Sequence, residues 1–429
     1  MTLPQPTPEP RVLVAIDVAK LRHDALIEAP GWRRPKRFTV PNQTDELDRF
    51  QRYLGSLALP VHVAFEATGD YHRGLAHVLL RAGFRLSLVS SLALARTREA
   101  LHNSWDKNDP KDAQVILHLL RAGQTMHYHD PLANGLNDLQ ELSKTHFQVS
   151  LEKTRTLHRL KTHFFPLYFP EIEPYMHCSR TEGLLRLLHA FPTPGCICAL
   201  SRDQFVRAAW PLIGRKVAKQ RLLEELYRTA QGSMGLPVAP DSEAVAMFRL
   251  VLAEMLGLCE RRAVIEERAD ALLAGQGDYQ RLRQIPGIGP INALTILAEA
   301  GDLRRFAHHR QFLKFCGFDL ATHQSGQYRG QSRLSKHGNA RLRCAFWMAA
   351  QIAVRMKENS FRYKYERYLR GSPGDPDAKR KALVAVAAKI ARVTHGLIKT
   401  GADYRPFFEA AVPSGRARSA RAVEAHATS

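Results

Sequence analysis

VLVAIDVAK, residues 12–20, is a short apolar run rich in β-branched residues that ends on a carboxylate, Asp17. A buried strand reads this way, and an acid at the end of such a strand needs a reason to be there. The pattern recurs in VHVAFEATGD, residues 61–70, where Glu66 closes a second run. Working outward, residues 11–18 and 25–29 read as a hairpin and residues 35–40 as a third strand. Residues 42–57 form an amphipathic helix with Asn42 or Thr44 as its cap. A fourth strand at 61–66, a helix at 71–82 and a fifth strand at 85–90 follow.

Three strands, then helix, strand, helix, strand is the element order of an RNase H-like α/β domain, expected here over residues 11–128. Ligands and catalytic groups collect at strand ends in such sheets. A second pair of acids, Asp109 and Asp112 in NDPKDAQVI, starts a helix, and their spacing puts both on one face. Brought together, Asp17, Glu66, Asp109 and Asp112 could not all stay ionised without cations between them. That is the logic of phosphodiester chemistry in which two metal ions clamp the attacking and leaving oxygens. Each acid also has an ordinary reading: Asp17 as a turn residue, Glu66 as a cap, Asp109 as a helix start. Asp24, Asp70 and Asp106 lie close by in sequence, and Asp106 competes with Asp109.

The 429 residues suffice for two or three domains, and 45% hydrophobic against 24% charged residues describes a soluble globular protein. No apolar run reaches the ~18 residues of a membrane span. Residues 1–10 are a proline-rich tail without secretion-signal character, so a cytoplasmic location is expected. The six cysteines are scattered, and the Cys196–Cys198 pair, even with His177 and Cys178 upstream, reads as thiols rather than zinc ligands. The net charge is +21 and sits unevenly: from Arg304 onward 25 basic residues face 8 acidic ones, a local excess of +17. Such asymmetry implies a polyanionic partner, nucleic acid above all.

Residues 129–275 read as a helical, coiled-coil linker region. Leu136, Leu139, Leu142, Leu157, Leu160 and Phe164 form one stripe, and Phe248, Leu252, Met255 and Leu258 another. These two stripes pair as an antiparallel or an intermolecular coiled coil, while residues 165–240 between them resist assignment. The region 276–412 is mostly helical and opens with IPGIGP, residues 285–290, which matches a helix–hairpin–helix turn. Gly287 and Gly289 there allow a tight turn whose amides, with the following helix N-terminus, suit a phosphate. Gln324–Arg343 then holds Arg329, Arg333, Lys336, Arg341 and Arg343 with no acid, and embeds Ser325, Ser332 and Ser335. A serine among cations ionises more readily and can attack a phosphate, although most serines are surface or capping hydroxyls. A basic amphipathic helix spans 378–400, with Leu383, Ile390, Val393 and Leu397 inward, and residues 413–429 form a disordered basic tail.

AIDVAK, FEATGDYH, KNDPKDA, IPGIGP and SGQYRGQSRLSKHGNARLR occur in this order over nearly the whole chain. In this the sequence resembles the DEDD transposases of the IS-one-ten type. The resemblance implies a RuvC-like N-terminal domain, a coiled-coil linker and a C-terminal transposase domain. It implies magnesium (or manganese) on Asp17, Glu66, Asp109 and Asp112, and Ser325 as nucleophile, with Ser332 and Ser335 as rivals. It also implies double-stranded DNA as substrate, a structured guide RNA from the same element, and a homodimer or homotetramer. Two alternatives stay open: a RuvC-like junction nuclease using metal-activated water, and a non-catalytic nucleic-acid-binding regulator.

Overall fold

The computed structural model describes residues 10–67, 69–102, 109–176, 181–214, 218–321, 324–325, 328–330 and 332–406. The side chains of residues 102, 109, 110, 324, 328 and 329 fall outside that description, as do Asp106, His177, Cys178 and both tails. The chain divides into two compact units, Met1–Leu136 and Asn137–Ser429.

The first unit contains β1 (Val12–Asp17), β2 (Arg22–Glu28), β3 (Lys36–Pro41), α1 (Thr44–Gly55), β4 (Val61–Glu66) and α2 (His72–Arg81). After them come β5 (Arg85–Val89), α3 (Ser91–His102), α4 (Asp109–Arg121) and the short β6 (Met126–His127). Together the strands make one mixed sheet in the order β3-β2-β1-β4-β5-β6. β1, β4 and β5 run parallel, and the remaining pairs are antiparallel. The central strands read as unbroken apolar runs because both faces of the sheet are covered. On one face Val14, Ile16, Val63 and Phe65 pack against Phe50 and Leu54 of α1 and Leu75 and Leu79 of α2. On the other, Ala15 and Ala64 meet Ala113, Val115 and Ile116 of α4. Two alanines in the centre of that face leave room for a helix to lie close. The sequence reading did not anticipate α3 or β6. Among the described side chains of α3 only Leu94 is buried, while Leu92 and Leu101 are exposed, so no apolar stripe marks it.

The second unit is mostly helical. It starts with α5 (Asn137–Arg159), which continues through a wide π-turn at Leu160–Phe164 into α6 (Phe165–Tyr168). Pro166 in α6 has no N–H to donate to the preceding turn, a common cause of such widening. Residues 165–240 fold as helices: α7 (Thr181–Ala190), α8 (Pro194–Cys198), α9 (Arg202–Ala209) and α10 (Lys219–Gln231). They share a core of Phe165, Phe169, Leu184, Leu188, Phe205 and Leu223 with Phe248 of α11 (Glu243–Leu273). α5 and α11 pair antiparallel within the chain: the Thr156 hydroxyl donates to Glu254 at 3.2 Å, and His146 Nε2 lies 3.1 Å from Glu266.

Next come α12 (Gly277–Arg283), α13 (Pro290–Ala300) and α14 (His309–Phe315). Two nested two-stranded ladders follow, β7 (Leu320–Ala321) with β10 (Arg333–Leu334) outside and β8 (Gln324–Ser325) with β9 (Tyr328–Arg329) inside. Three helices close the unit, α15 (Ala340–Ala353), α16 (Ser360–Arg370) and α17 (Ala378–Thr400), with α17 against α14, α15 and α16. The buried residues of α17 are Ala378, Ala382, Val386, Ala387, Ile390, Ala391, Thr394, His395 and Ile398. Leu383, Val393 and Leu397 are only half-buried, which corrects the expected stripe except at Ile390. Close packing on several neighbours favours alanine at the contacts and moves the larger residues to the margins.

Candidate active site

Asp17 and Glu66 end adjacent parallel strands, and the register Ile16↔Phe65 places them side by side at the carboxyl edge of the sheet. Side chains alternate along a strand, so Asp17 shares a face with Ala15, and Glu66 with Ala64. That is the face α4 covers. The polarity of α4 follows from its far end, where Leu120 and Arg121 stand with Leu13, His62 and Arg85 at the amino-terminal ends of the strands. Its first turn, carrying Asp109 and Asp112, therefore lies toward the ends that carry Asp17 and Glu66. Asp24 sits opposite Asp17 across the β1–β2 pair and accepts a 3.0 Å hydrogen bond from the Thr39 hydroxyl.

Asp112 is buried, and its carboxylate is held by the Arg98 guanidinium of α3, with Nε donating to Oδ1 at 2.6 Å. Among the described residues no group of three or more His, Cys, Asp or Glu is assembled to hold an ion. The donors that are present are carboxylate oxygens, which suit a hard divalent cation such as magnesium. Asp17, Glu66 and Asp112 fit that role, with Arg98 supplying the positive charge beside Asp112. The side chain of Asp109 lies outside the described residues.

In the second unit, Gly287 has φ +90 and is packed so tightly that an added Cβ would sit 2.1 Å from the Ala349 carbonyl oxygen of α15. Glycine is thus required there by helix packing. At Gly289, the N-cap of α13, an added Cβ meets nothing. Ser325 is exposed on β8, inside the nested ladders. Of its rivals, Ser332 is exposed, and the Ser335 hydroxyl accepts from the His337 amide at 3.4 Å as a local turn cap. Arg333 and Lys336 are exposed. Arg341 instead points inward: it pairs with Glu299 at 2.7 Å, donates to Ser143 at 2.8 Å and covers the Phe147 ring. Arg343 donates to the Lys336 carbonyl at 3.2 Å and so braces the basic turn. The side chain of Arg329 is not described. Cations also crowd α16 and α17: burial first, then repulsion from Arg367, Lys389 and Arg392, pulls Lys364 below the usual lysine range.

The sequence profile of the DEDD-type IS110 transposases matches residues 14–170, and that of the Transposase IS116/IS110/IS902 family matches residues 279–366. The chain belongs to the IS110-type DEDD transposases. The IS117 mini-circle protein of Streptomyces coelicolor is 27% identical over 80% of this chain and 84% of its own length. The 43.6 kDa protein of insertion element IS110 from the same organism is 22% identical over 94% of this chain and 97% of its own. The transposase for insertion sequence element IS1111A of Coxiella burnetii is 29% identical over 48% of this chain and 58% of its own.

The first matched segment of this transposase contains all four carboxylates, and the second contains Gly287, Gly289, Ser325 and the basic stretch. Sequence reasoning missed Arg98, which alone looks no different from its neighbour Arg96. The usable signal was spacing: Arg98 follows Leu94 by one helical turn and so shares its inward face. Among the described residues no helix of the transposase is long and apolar enough to cross a membrane.

Proposed function

We propose that this transposase excises and inserts its own element by cleaving and rejoining DNA strands, with a RuvC-like carboxylate site and Ser325 as nucleophile. The observation that carries the reading is the pair Asp17 and Glu66, side by side at the carboxyl edge beneath the helix that bears Asp112. The strand order of the sheet and its three parallel central strands support the RuvC-like assignment. Asp17, Glu66, Asp109 and Asp112 would hold divalent metal, which would offset charge on the phosphate oxygens in the transition state. Ser325 Oγ attacks a backbone phosphorus, the bond to one sugar oxygen breaks, and a phosphoserine ester keeps the strand ready for rejoining. Arg333 and Lys336 draw the DNA backbone toward that hydroxyl. Gly289 and the start of α13 grip a phosphate without regard to base sequence. Arg343 serves the same end indirectly, by bracing the basic turn, while Arg341 ties α15 to α5 and α13.

Two partners complete the reading. A structured RNA from the same element guides target choice, as the family resemblance implies, and it should copurify with the chain. The assembly is a homodimer or homotetramer, for which the exposed Met247 and Leu250 of α11 offer an apolar surface. The deciding experiment is adduct trapping on DNA carrying the element ends, followed by peptide sequencing. A DNA-linked peptide containing Ser325, lost in Ser325→Ala, is the expected result. Metal-dependent nicks with free 5′ phosphates and no adduct would instead assign the chemistry to activated water.

A further inference from the structure

At the edge of the first unit's sheet opposite the carboxylates lies a cavity of 230 Å³, lined by Arg11, His62, Arg85, Ser87, Arg121 and His127 among others. Its placement follows from strand register. Leu13, His62 and Arg85 form one row across β1, β4 and β5, and His127 of β6 stands opposite Ser87. At the bottom, buried His62 and Ser87 share a 2.8 Å hydrogen bond. Arg11, Arg85 and Arg121 are exposed at the mouth, and Arg121 is tied to Glu28. No carboxylate is among the described lining residues.

We infer that this cavity is a phosphate-binding site, distinct from the carboxylate edge and separated from it by the length of α4. Planar guanidinium forks match the oxygens of a phosphate, and with Arg121 already paired to Glu28, Arg11 and Arg85 supply the charge at the opening that an anion neutralises. The crowding is felt by His62, whose pKa falls to about 4 through burial first and then repulsion from Arg85, Arg11 and His127. The size of the cavity selects the ligand. At 230 Å³ it lies below the roughly 300–1,000 Å³ of sites that enclose a drug-sized molecule. It accepts a phosphate or the head of a phosphomonoester, not a whole nucleotide. The source is a free phosphate ion or the 5′-phosphate end of a nucleic acid strand.

The test uses the full-length chain and inorganic phosphate as probe, by calorimetry. One saturable site is expected, with affinity at least tenfold weaker in Arg11→Ala/Arg85→Ala. It should be unchanged in Arg49→Ala/Arg52→Ala, which removes two arginines from α1 on the other face of the sheet. Both pairs are exposed, so folding is preserved. A 5′-phosphorylated pentathymidylate that displaces phosphate, where its 5′-hydroxyl form does not, assigns the site to strand ends. Phosphate binding without such displacement assigns it to the free ion. Carbon-13 NMR of labelled histidine adds a second readout, because bound phosphate must raise the pKa of His62 from about 4. Equal affinity in both double variants, or a His62 titration unmoved by phosphate, overturns the inference. Neither outcome bears on Ser325 or the carboxylates, whose test is the DNA adduct.

Discussion

Replacing Arg98 with methionine keeps most of the side-chain volume and removes the charge beside Asp112. In the native chain the Asp112 side chain is 3% exposed and that of Arg98 14%, with 2.6 Å between Nε and Oδ1. For unit charges ~4 Å apart at an effective dielectric constant of ~20, the attraction is about 4 kcal/mol. Removing one partner of a buried pair typically costs ~3–5 kcal/mol, because a charge stays buried without compensation. Arg98→Met should therefore destabilise the first unit by about 3 kcal/mol in the absence of divalent metal. For a unit of this length that lowers its thermal transition by roughly 10 °C. Hydrogen exchange of peptides covering β1, β4 and α4 in the full-length chain reads the loss directly. Two further measurements separate the cause from mere loss of packing. Arg98→Met/Asp112→Leu should recover most of the stability, since apolar replacement of both partners is often neutral. Magnesium should stabilise Arg98→Met by about 2.7 kcal/mol at a hundredfold excess over its dissociation constant, and should protect the native chain less at the same concentration. An Arg98→Met chain within about 1 kcal/mol of native, or a double variant no better than the single, would refute the reasoning.

Gly287→Ala should destabilise the second unit by more than about 2 kcal/mol in denaturant unfolding, because its Cβ would lie 2.1 Å from the Ala349 oxygen and φ is +90. Gly289→Ala meets open space and should stay within about 0.5 kcal/mol of native, leaving DNA affinity as its readout. The pH dependence of the first unit should show the neutral His62. Its folded pKa of about 4 lies below the ordinary 6.5, so stability is complete above pH 6.5 and falls as pH drops toward 4, where only the unfolded chain takes the proton. Thermal scans between pH 7 and 4.5 should show a shallower acid loss in His62→Gln, and an unchanged slope would sink the assignment.

Strand ends were legible because β1 and β4 are covered on both faces, which turns their sequences into apolar runs and makes a terminal acid stand out. The helix α4 was legible through Asp109 and Asp112, but what neutralises Asp112 was not. Arg98 acts through three-dimensional approach between α3 and α4, and α3 has no apolar stripe to announce it. The basic stretch shows the opposite limit. Composition groups Arg333, Lys336, Arg341 and Arg343 as equals, whereas burial turns Arg341 onto Glu299 and leaves Arg333 and Lys336 exposed. IPGIGP hides a similar split: Gly287 answers to α15, and only Gly289 keeps an open side. For Arg341 and Gly287 the residue type was read correctly, and the partner that decides its role lay far along the chain.

One helix links the two ends of the sheet for which chemistry is proposed. From Leu13 to Asp17, and equally from His62 to Glu66, is four residues, or roughly 13 Å along a strand. α4 spans that distance, with Asp112 on its first turn and Leu120 and Arg121 at the phosphate cavity. Its height above the sheet is set where fully buried Ala15 and Ala64 meet Ala113 and Ile116. Ala64→Leu enlarges the centre of that contact while touching neither end. Overpacking of this kind costs ~1–3 kcal/mol and is relieved by backbone shifts, here of α4 away from the strands. The variant should therefore weaken phosphate binding and also reduce the magnesium protection of Arg98→Met, when both are measured on full-length chains that remain folded. Loss of one effect with the other intact would mean that the two ends are held independently, by α3 on one side and β6 on the other.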